Sequence, residues 1–392
     1  MRRVEKEVRM RPLPLIRAVT LATMAVCYAV ASAQSRDENW ELCTNLHNDP
    51  DLRIGACTAI IQSGREATDD LAAAFNNRCA GHNDNRDYGL AIDDCDQAIK
   101  LQPRNAVAFN NRGLAYYGNG QYDRAIQDYD QAVSINSDYA AAFNNRGNAY
   151  RDKGQYDRAI QDYDQATSLD PQYAHAFNNR GLAYYAKGQY DRAIQNYDQA
   201  ISLDPKYAHA FNNRGGAYSD KGQYDRAIED YDQAISLDPK YAHAFNNRGY
   251  ANFDTARFEA AANDFEQTLT IIGIRPYIVL WLHLARIRGH QEDMEEFSRN
   301  TARLDLTTWP GPVISFYLRH ASAHEVTEAA KNGDEKAQRE QSCEASFFLG
   351  EDALLRKQVS EAKTLLRQAH ETCPNRFVQF DAAAEELKRI DR

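Results

Sequence analysis

The chain has 392 residues, of which 43% are hydrophobic, and carries a formal net charge of −10 at pH 7. This length exceeds what a single compact core usually holds, so the sequence predicts either several domains or a repeat array. The acidic excess argues against nucleic acid and anionic lipid as main partners, because both need a basic protein face.

The amino-terminal segment has the composition of a cleavable signal peptide. Basic residues precede an apolar run from Ala18 to Val30, and the small-x-small sequence Ala31-Ser32-Ala33 follows it. We therefore expect residues 1–33 to be removed by cleavage after Ala33, which leaves a periplasmic or secreted protein. The apolar run is too short for a transmembrane helix, so no membrane insertion is expected after cleavage.

Two details of this segment leave alternatives open. A signal peptide that begins at Met10 has more typical proportions, so Met1 and Met10 are both candidate start residues. Cys27 is a candidate for lipid attachment, but Val26 before it is bulky where lipid-attachment signals have Gly or Ala. The sequence therefore leaves both the start and the lipidation state open.

The phrase Ala-Phe-Asn-Asn-Arg recurs six times in register. Consecutive copies are 34 residues apart, and their aromatic residues are Phe75, Phe109, Phe143, Phe177, Phe211 and Phe245. In the copy that begins near Ala174, small residues recur where two helices would cross closely. Gly188 lies between those helices, where a turn needs a permissive backbone, and Asp204-Pro205 ends the unit.

This period and these positions resemble the tetratricopeptide repeat (TPR) family over residues 72–273. The resemblance implies an all-α fold: a right-handed TPR superhelix, or α-solenoid, with six regular 34-residue repeats and degenerate helical pairs on both flanks. It also implies that the first helix of each repeat, here called helix A, lines a concave wall. The second, helix B, packs behind it, and each pair depends on its neighbours for stability.

The flanks of the array are also expected to be helical. Residues 34–71 are predicted to form an amino-terminal helical cap, and residues 274–342 a degenerate helical region. Residues 343–392 are predicted to form a TPR-like unit that ends in a capping helix.

Within these flanks, three elements and one loop are predicted. A buried helix is expected over residues 276–290, another helix from Val313 to Arg319, and a polar loop or linker over residues 331–341. The capping helix, over residues 377–390, is expected to place on its inner face Phe377, Phe380, Ala384, Leu387 and Ile390.

The carboxy-terminal part carries a second resemblance. The strings Arg275-Pro276-Tyr277, Phe316-Tyr317-Leu318 and Cys343-Glu344-Ala345-Ser346 are similar to bacterial NlpI-type envelope TPR lipoproteins, over roughly residues 240–390. Proteins of that type are adaptors that scaffold peptidoglycan hydrolases and a periplasmic protease. The resemblance implies an envelope adaptor role, although this chain has more near-identical repeats and additional cysteines.

Six cysteines lie beyond the signal peptide, and none forms a Cys-x-x-Cys spacing, so no metal site is predicted. In an exported protein, disulfides are the default expectation. On the TPR pattern, three local pairs lie at the crossing or at one end of a helix hairpin: Cys43 with Cys57, Cys79 with Cys95, and Cys343 with Cys373. The alternative is that some of them are small core residues with free thiols.

Two asparagines follow each aromatic residue of the repeat, although asparagine is a mediocre helix former. In TPRs these positions face or border the concave wall, and an amide can both donate to and accept from a peptide backbone. The pattern resembles the asparagine ladder of O-linked N-acetylglucosamine transferases. The candidate peptide contacts are Asn110, Asn111, Asn144, Asn145, Asn178, Asn179, Asn212 and Asn213. The alternatives are a hydrogen bond to the next repeat, or simple copying by duplication.

An arginine follows the asparagines in every copy, where a typical TPR has a semi-buried leucine. A buried guanidinium must be paired, and carboxylates recur on helix B at Asp96, Asp130, Asp164, Asp198, Asp232 and Glu266. We therefore predict a structural ladder that includes Arg112, Arg146, Arg180 and Arg214. The alternative is that these arginines reach the groove and bind acidic peptide. A chaperone-type carboxylate clamp is excluded, because no lysine recurs on the groove face.

Histidines and tyrosines are further candidates for the groove. His175 and His209, with His243, share one repeat position near the groove mouth, and Tyr117 and Tyr185 are candidate flat anchors. Helix packing distances put adjacent histidines about 10 Å apart, too far for one metal ion. The histidines either make binding pH-sensitive or are copies left by duplication.

These observations predict a protein without catalytic function or cofactor, since no nucleophile elbow, phosphate loop or recurrent acid–base pair is found. We predict a scaffold or adaptor that binds protein or peptide ligands of the cell envelope in the concave groove. The alternative is an envelope scaffold that binds polysaccharide or peptidoglycan-processing machinery, since tyrosines and amides also suit sugars. A second copy of the chain is a further candidate partner.

Overall fold

A computed structural model describes residues 36–45, 49–291, 294–374 and 377–391. Every regular element in these ranges is a helix, and within each compact unit most helices adjacent in sequence pack against each other. This confirms the predicted all-α fold of stacked helix pairs. The predicted signal peptide lies outside the described residues. The chain divides into two compact units, residues 1–142 and residues 143–392.

The first unit contains an amino-terminal helix pair and two repeat pairs. Its helices are α1 (Arg36–Thr44), α2 (Pro50–Ser63), α3 (Thr68–Asp84), α4 (Tyr88–Leu101), α5 (Ala106–Gly118) and α6 (Tyr122–Ile135). The side chain of Asp49 caps α2 by accepting a hydrogen bond from the backbone N–H of Asp51 at 2.9 Å. The predicted helical cap therefore consists of α1 and α2, and the first repeat begins with α3.

The second unit contains the remaining repeats and the carboxy-terminal helices. Helix α7 (Ala140–Asp152) spans the unit boundary. The repeat helices that follow are α8 (Tyr156–Leu169), α9 (Ala174–Ala186), α10 (Tyr190–Leu203), α11 (Ala208–Ser219), α12 (Tyr224–Leu237), α13 (Ala242–Asp254) and α14 (Phe258–Ile272). The carboxy-terminal helices are α15 (Pro276–Arg288), α16 (Met294–Thr301), α17 (Gly311–Tyr317), α18 (Ala323–Ala329), α19 (Glu335–Leu355), α20 (Val359–Thr372) and α21 (Val378–Ile390). No described helix combines the length and the apolar character needed to cross a membrane.

Four of the six regular repeats turn from helix A to helix B at a glycine in the left-handed backbone region, and Arg86 and Ala256 adopt that conformation in the first and the sixth. Gly188 has a φ of 69°, a conformation that strains a residue with a Cβ. After helix B, the side chain of Asp204 accepts a hydrogen bond from the backbone N–H of Lys206 at 3.0 Å. This bond closes the turn that leads to the next helix A.

Within each repeat, helix A and helix B cross at a glycine and an aromatic ring. A Cβ built on Gly181 would lie 2.6 Å from Cε1 of Tyr197, which is fully buried. The same contact recurs in the pairs Gly113–Tyr129, Gly147–Tyr163, Gly215–Tyr231 and Gly249–Phe265. A larger residue at the glycine would force the helices apart, so the predicted close crossing is confirmed.

The three predicted cysteine pairs lie at disulfide-bonding distance. Their Cα separations are 4.9 Å for Cys43–Cys57, 5.5 Å for Cys79–Cys95 and 4.9 Å for Cys343–Cys373. The second pair occupies the positions that hold the glycine and the tyrosine in later repeats. The predicted pairing is therefore the one found in the structure.

The carboxy-terminal helices share one apolar core around Trp281 of α15, which is 1% exposed. The indole ring centroid lies 5.0 Å from that of Phe253 and 5.2 Å from that of Phe347. The predicted buried helix is thus confirmed, with bounds Pro276–Arg288. The helix predicted from Val313 to Arg319 is found at Gly311–Tyr317.

The predicted loop over residues 331–341 is wrong for most of its length. Helix α19 begins at Glu335, because the side chain of Asp334 accepts a hydrogen bond from the backbone N–H of Ala337 at 2.8 Å. The polar residues that suggested a loop lie in its largely exposed first two turns. The predicted domain boundary at residue 343 therefore falls inside this helix.

On the capping helix α21 and just before it, four of the predicted residues, Phe377, Phe380, Leu387 and Ile390, are partly buried and pack against the carboxy-terminal core. The fully buried residues, Gln379, Ala382, Ala383 and Glu386, were not predicted. Nη2 of Arg288 binds Oε2 of Glu386 at 3.0 Å. Arg288 also pairs with the fully buried Glu351.

Candidate functional site

The asparagines of successive repeats form hydrogen bonds from one helix A to the next. Nδ2 of Asn179 donates to Oδ1 of Asn144 at 2.9 Å. The same bond, at 2.9–3.0 Å, joins Asn213 to Asn178, Asn247 to Asn212 and Asn111 to Asn76. The second asparagine of a repeat therefore ties its helix to the preceding repeat, which was one of the alternatives for these residues.

The two asparagines of each repeat differ in how far they are exposed to solvent. The first ones, Asn110, Asn144, Asn178 and Asn212, are between 3% and 8% exposed. The structure corrects the prediction for these four, since such buried amides are not open to a bound peptide. The second ones, Asn111, Asn145, Asn179 and Asn213, are half-buried and stay predicted contacts.

The arginine of each repeat binds carboxylates, as predicted for a structural ladder. Nε and Nη2 of Arg214 donate to the two oxygens of Asp230 at 2.8 and 2.6 Å, and Nη1 donates to Asp198 at 2.6 Å. Arg112 binds Asp128 and Asp96 in the same way, and Arg146 binds Asp162. Arg180 binds Asp164 and, through Nε, Asn196, which replaces the aspartate in that copy.

The sequence analysis missed the principal partners of these arginines. It chose the outer carboxylates, whereas the bidentate partners are the buried Asp94, Asp128, Asp162, Asp230 and Asp264. The helical spacing could have identified them. Asp128 and Tyr129 lie three and four residues after Ala125 and four and three before Ala132, so these residues share the buried face of α6.

The histidines form an aromatic row with tyrosines of adjacent repeats. Nδ1 of His175 lies 2.9 Å from the hydroxyl of Tyr207, and Nδ1 of His209 lies 2.7 Å from that of Tyr241. Ring centroids follow one another at 4.7–6.4 Å along Tyr173, His175, Tyr207, His209, Tyr241 and His243. The histidines thus link repeats, and none of them lines the cavity described next.

A cavity of about 540 Å³ lies along the helices A of three successive repeats. Helix α9 contributes Tyr185 and Ala186, α11 contributes Gly216 and Ser219, and α13 contributes Asn247, Tyr250 and Asp254. Near the start of α21, Phe377, Val378 and Asp381 line the same space. Of the two predicted tyrosine anchors, Tyr185 lies in this cavity. Tyr117, in the first unit, packs on Tyr122 with ring centroids 5.5 Å apart.

Three carboxylates of the cavity come from different parts of the chain: Asp220, Asp254 and Asp381. Burial raises the pKa of Asp220, and hydrogen bonding from Tyr185 and Tyr190 partly offsets that rise. Burial, and then repulsion from Asp381, raises the pKa of Asp254 well above its usual value. Burial, and then repulsion from Asp220 and Glu385, raises the pKa of Asp381 to about 6. The surroundings of both carboxyls therefore oppose their negative charge.

Two near-identical repeats differ mainly at this cavity. The copies over residues 174–207 and 208–241 differ at five positions, two of which lie on helix B. The other three replace Leu182, Tyr185 and Ala186 with Gly216, Ser219 and Asp220. All of these except Leu182 line the cavity. These differences mark the cavity positions in the sequence alone, but they were not used in the prediction.

Family models match the central part of the chain. A model described as TPR repeat matches residues 147–188, 181–222 and 215–255. Models described as tetratricopeptide repeat match residues 106–139 and 128–161. No curated protein matches the chain in sequence.

The chain is similar to several solved structures. A tetratricopeptide repeat protein from Parabacteroides merdae is 20% identical with a TM-score of 0.50, over 64% of this chain and 99% of its own. MamA is 27% identical with a TM-score of 0.38, over 41% of this chain and 94% of its own. YrrB, described as a TPR protein with an unusual peptide-binding site, is 23% identical with a TM-score of 0.38, over 49% of this chain and 96% of its own.

The two resemblances from sequence have different outcomes. The similarity of the carboxy-terminal strings to NlpI-type lipoproteins stays a prediction. The 34-residue period, the glycine–ring crossing and the matching family models agree with one another. Residues 106–255 of this chain are tetratricopeptide repeats.

Proposed function

We propose that this protein is a non-catalytic adaptor that binds an extended segment of a partner protein along the helices A of residues 174–254. One observation carries the proposal: near-identical repeats differ where they line a single cavity. The residues that hold the scaffold together, the glycine–ring crossing and the arginine ladder, are repeated, apart from Asn196 in the ladder and the cysteine pair of the first repeat. Changes at the cavity therefore alter what the surface binds without altering how the repeats pack.

The chemistry of the cavity suits a peptide. Tyr185, Tyr190 and Tyr250 offer rings with polar edges, a residue type enriched at protein interfaces. The amide of Asn247 and the hydroxyl of Ser219 can both donate and accept hydrogen bonds, as a peptide backbone requires. An adaptor role also agrees with the match of residues 106–255 to models of the TPR repeat.

We also propose that the adaptor works in the periplasm or outside the cell. The signal-peptide pattern of residues 1–33 supports this location, and three cysteine pairs at bonding distance suit an oxidising compartment. Intact-mass analysis with an alkylating reagent tests the pairing. We expect these six thiols to be protected until a reductant is added, whereas six alkylated thiols without reductant would contradict the proposal.

Gly216 allows the cavity to be filled without disturbing the scaffold. A Cβ at this position meets no atom within 4 Å, and the equivalent residues of the neighbouring copies are Leu182 and Tyr250. Gly216→Leu should be at least as stable as the parent, because leucine favours a helix over glycine by roughly 0.5–1 kcal/mol. It should nevertheless lose the partners that the parent captures from an envelope extract.

Gly55→Leu is the matched control, since Gly55 is an exposed glycine inside α2 with equally open space around its Cβ position. Proteins captured by the parent and by Gly55→Leu, but not by Gly216→Leu, would support the proposal. Equal capture by all three would exclude the cavity as the binding site. Capture that survives protease treatment of the extract, but is lost on glycan digestion, would favour the polysaccharide alternative.

A further inference from the structure

We infer that this cavity receives the basic side chain of a lysine or arginine carried by the bound segment. The inference rests on the proposed adaptor function and specifies what the cavity recognises. Three features carry it: a deeply buried carboxylate without a hydrogen-bond donor, two further carboxylates that face the same space, and the tyrosine rings around them.

Asp254 is the most buried of the three carboxylates, with 8% of the residue exposed. Within the described part of the chain, no group donates a hydrogen bond to its carboxylate. Arg389 binds the backbone carbonyl of Asp254 and the side chain of Glu386 instead. A buried carboxylate without a donor is costly, so a donor supplied by a ligand would be stabilising.

The lysines near the cavity are paired elsewhere. Lys187 lines the cavity, but its ammonium group binds Asp157 on α8. Nζ of Lys388 binds Glu385 at 2.8 Å. Lys388 offsets part of the charge of Asp381, and Arg389 part of that of Asp254, but among the described residues neither donates a hydrogen bond to these carboxylates, which leaves them open to an incoming donor.

The electrostatics of the carboxyls agree with a cationic ligand. Burial, followed by repulsion from neighbouring carboxylates, raises the pKa of Asp254 and brings that of Asp381 to about 6. An ammonium or guanidinium group would offset that repulsion and favour the ionised forms. Binding would therefore release protons from these carboxyls.

The shape and the rings favour an organic cation over a bare metal ion. Tyr250 is held by edge contacts with Phe265 and Trp281 at centroid distances of 5.2 and 5.1 Å. Cations are attracted to such ring faces, and the aliphatic stem of a lysine or arginine can pack on them. Among the residues that the structure describes, no three His, Cys, Asp or Glu side chains are grouped to hold a metal ion.

Fluorescent peptide libraries with one fixed central residue test this inference. The fixed residue is lysine, arginine, glutamate or norleucine, which keeps the aliphatic stem of lysine without its charge. Fluorescence anisotropy with the parent protein should show the lysine and arginine libraries binding about tenfold tighter than the norleucine library, equivalent to about 1.4 kcal/mol. Asp254→Asn should reduce this preference to about threefold or less, and Asp381→Asn, on a separate helix, should also reduce it.

Glu229→Gln is the matched control, because it removes one carboxylate from an exposed position of α12. It should keep the preference of the parent. Equal binding of the lysine and norleucine libraries would overturn the cationic anchor and leave the adaptor function standing. No binding of any library would contradict the adaptor function itself. Binding of free 1,5-diaminopentane, measured by calorimetry, without binding of any peptide library would show a site for free amines and overturn the peptide-borne source.

Discussion

The arginine ladder and the cavity both involve the helices A of the second unit, yet their charged groups have opposite surroundings. In the ladder, Arg214 holds Asp230 by two hydrogen bonds of 2.6 and 2.8 Å. In the cavity, Asp254 is equally hidden from solvent but receives no hydrogen bond from the described residues. The ladder is repeated from copy to copy with Asn196 as its one substitution among the bidentate partners, whereas the cavity positions differ at three places between two adjacent copies.

The ladder therefore contributes to stability and the cavity to recognition, although both use residues of the helices A. Charges that pair inside the scaffold lower its energy only while both partners are present. Charges that lack a partner lower the stability of the free protein, and a ligand that pairs with them gains binding energy. Substitutions in the ladder should therefore change unfolding, and substitutions in the cavity should change binding.

The largest expected effect comes from the ladder. Arg214→Ala leaves Asp230, which is 5% exposed, without its bidentate partner. We expect a loss of about 3 kcal/mol in the free energy of unfolding, because an unpaired buried carboxylate remains. Urea unfolding followed by circular dichroism measures it.

The chain supplies a control for this prediction at the equivalent position of the preceding copy. Asn196 replaces the aspartate there and still accepts a hydrogen bond from Nε of Arg180 at 2.6 Å. Asp230→Asn should therefore cost about 1 kcal/mol or less. Equal losses for Asp230→Asn and Arg214→Ala would show that the ladder does not act through charge pairing.

Smaller effects on stability, opposite in sign to each other, are expected from alanine substitutions at two adjacent glycines. A Cβ on Gly215 would lie 2.7 Å from Cε1 of Tyr231, whereas a Cβ on Gly216 meets no atom within 4 Å. Gly215→Ala should therefore lower the unfolding free energy by roughly 1–3 kcal/mol through overpacking. Gly216→Ala should raise it by roughly 0.5–1 kcal/mol through helix propensity. Thermal unfolding of both variants measures the two effects. A loss of stability in both variants would contradict the distinction between scaffold positions and cavity positions.

The smallest predicted effect is on the pH dependence of binding. Burial raises the pKa of Asp381 to about 6, and the titratable groups around it are Asp220, Asp254, Glu385, Lys388, Tyr190 and Tyr224. Below that pH the carboxyl is protonated, so affinity for the lysine library should fall about fourfold, as expected for one charge lost at contact distance. Anisotropy titrations at pH 7.5 and 5.5 measure the change, and Asp381→Asn should lessen it.

The same carboxyl should affect stability in the opposite direction. Its pKa is raised in the folded protein, so its unfavourable contribution is full above pH 6 and is relieved as pH falls towards the unfolded value near 4. Asp381→Asn should therefore flatten the pH dependence of unfolding in this window. An unchanged pH profile would contradict the assignment of the raised pKa to this residue.

The local features of the fold were predictable because they repeat at short range. The 34-residue period, the glycine at the helix crossing and the cysteine pairs depend on contacts within one helix hairpin. The cavity depends on contacts between residues far apart in the chain, such as Asp254 and Asp381, which no local pattern connects. Burial also decided the role of the first asparagines, since a ladder that repeats in sequence does not show which of its members faces solvent.

Site-specific photo-crosslinking tests the central claim, that the variable ends of helices A form the partner-binding surface. A benzophenone amino acid is placed at Ser219, which lines the cavity, and separately at Ser236, an exposed serine of α12. After irradiation in an envelope extract, mass spectrometry identifies the peptides attached to each position. The account predicts that partner peptides attach at Ser219 and not at Ser236. The same peptides at both positions, or attachment at Ser236 alone, would contradict it.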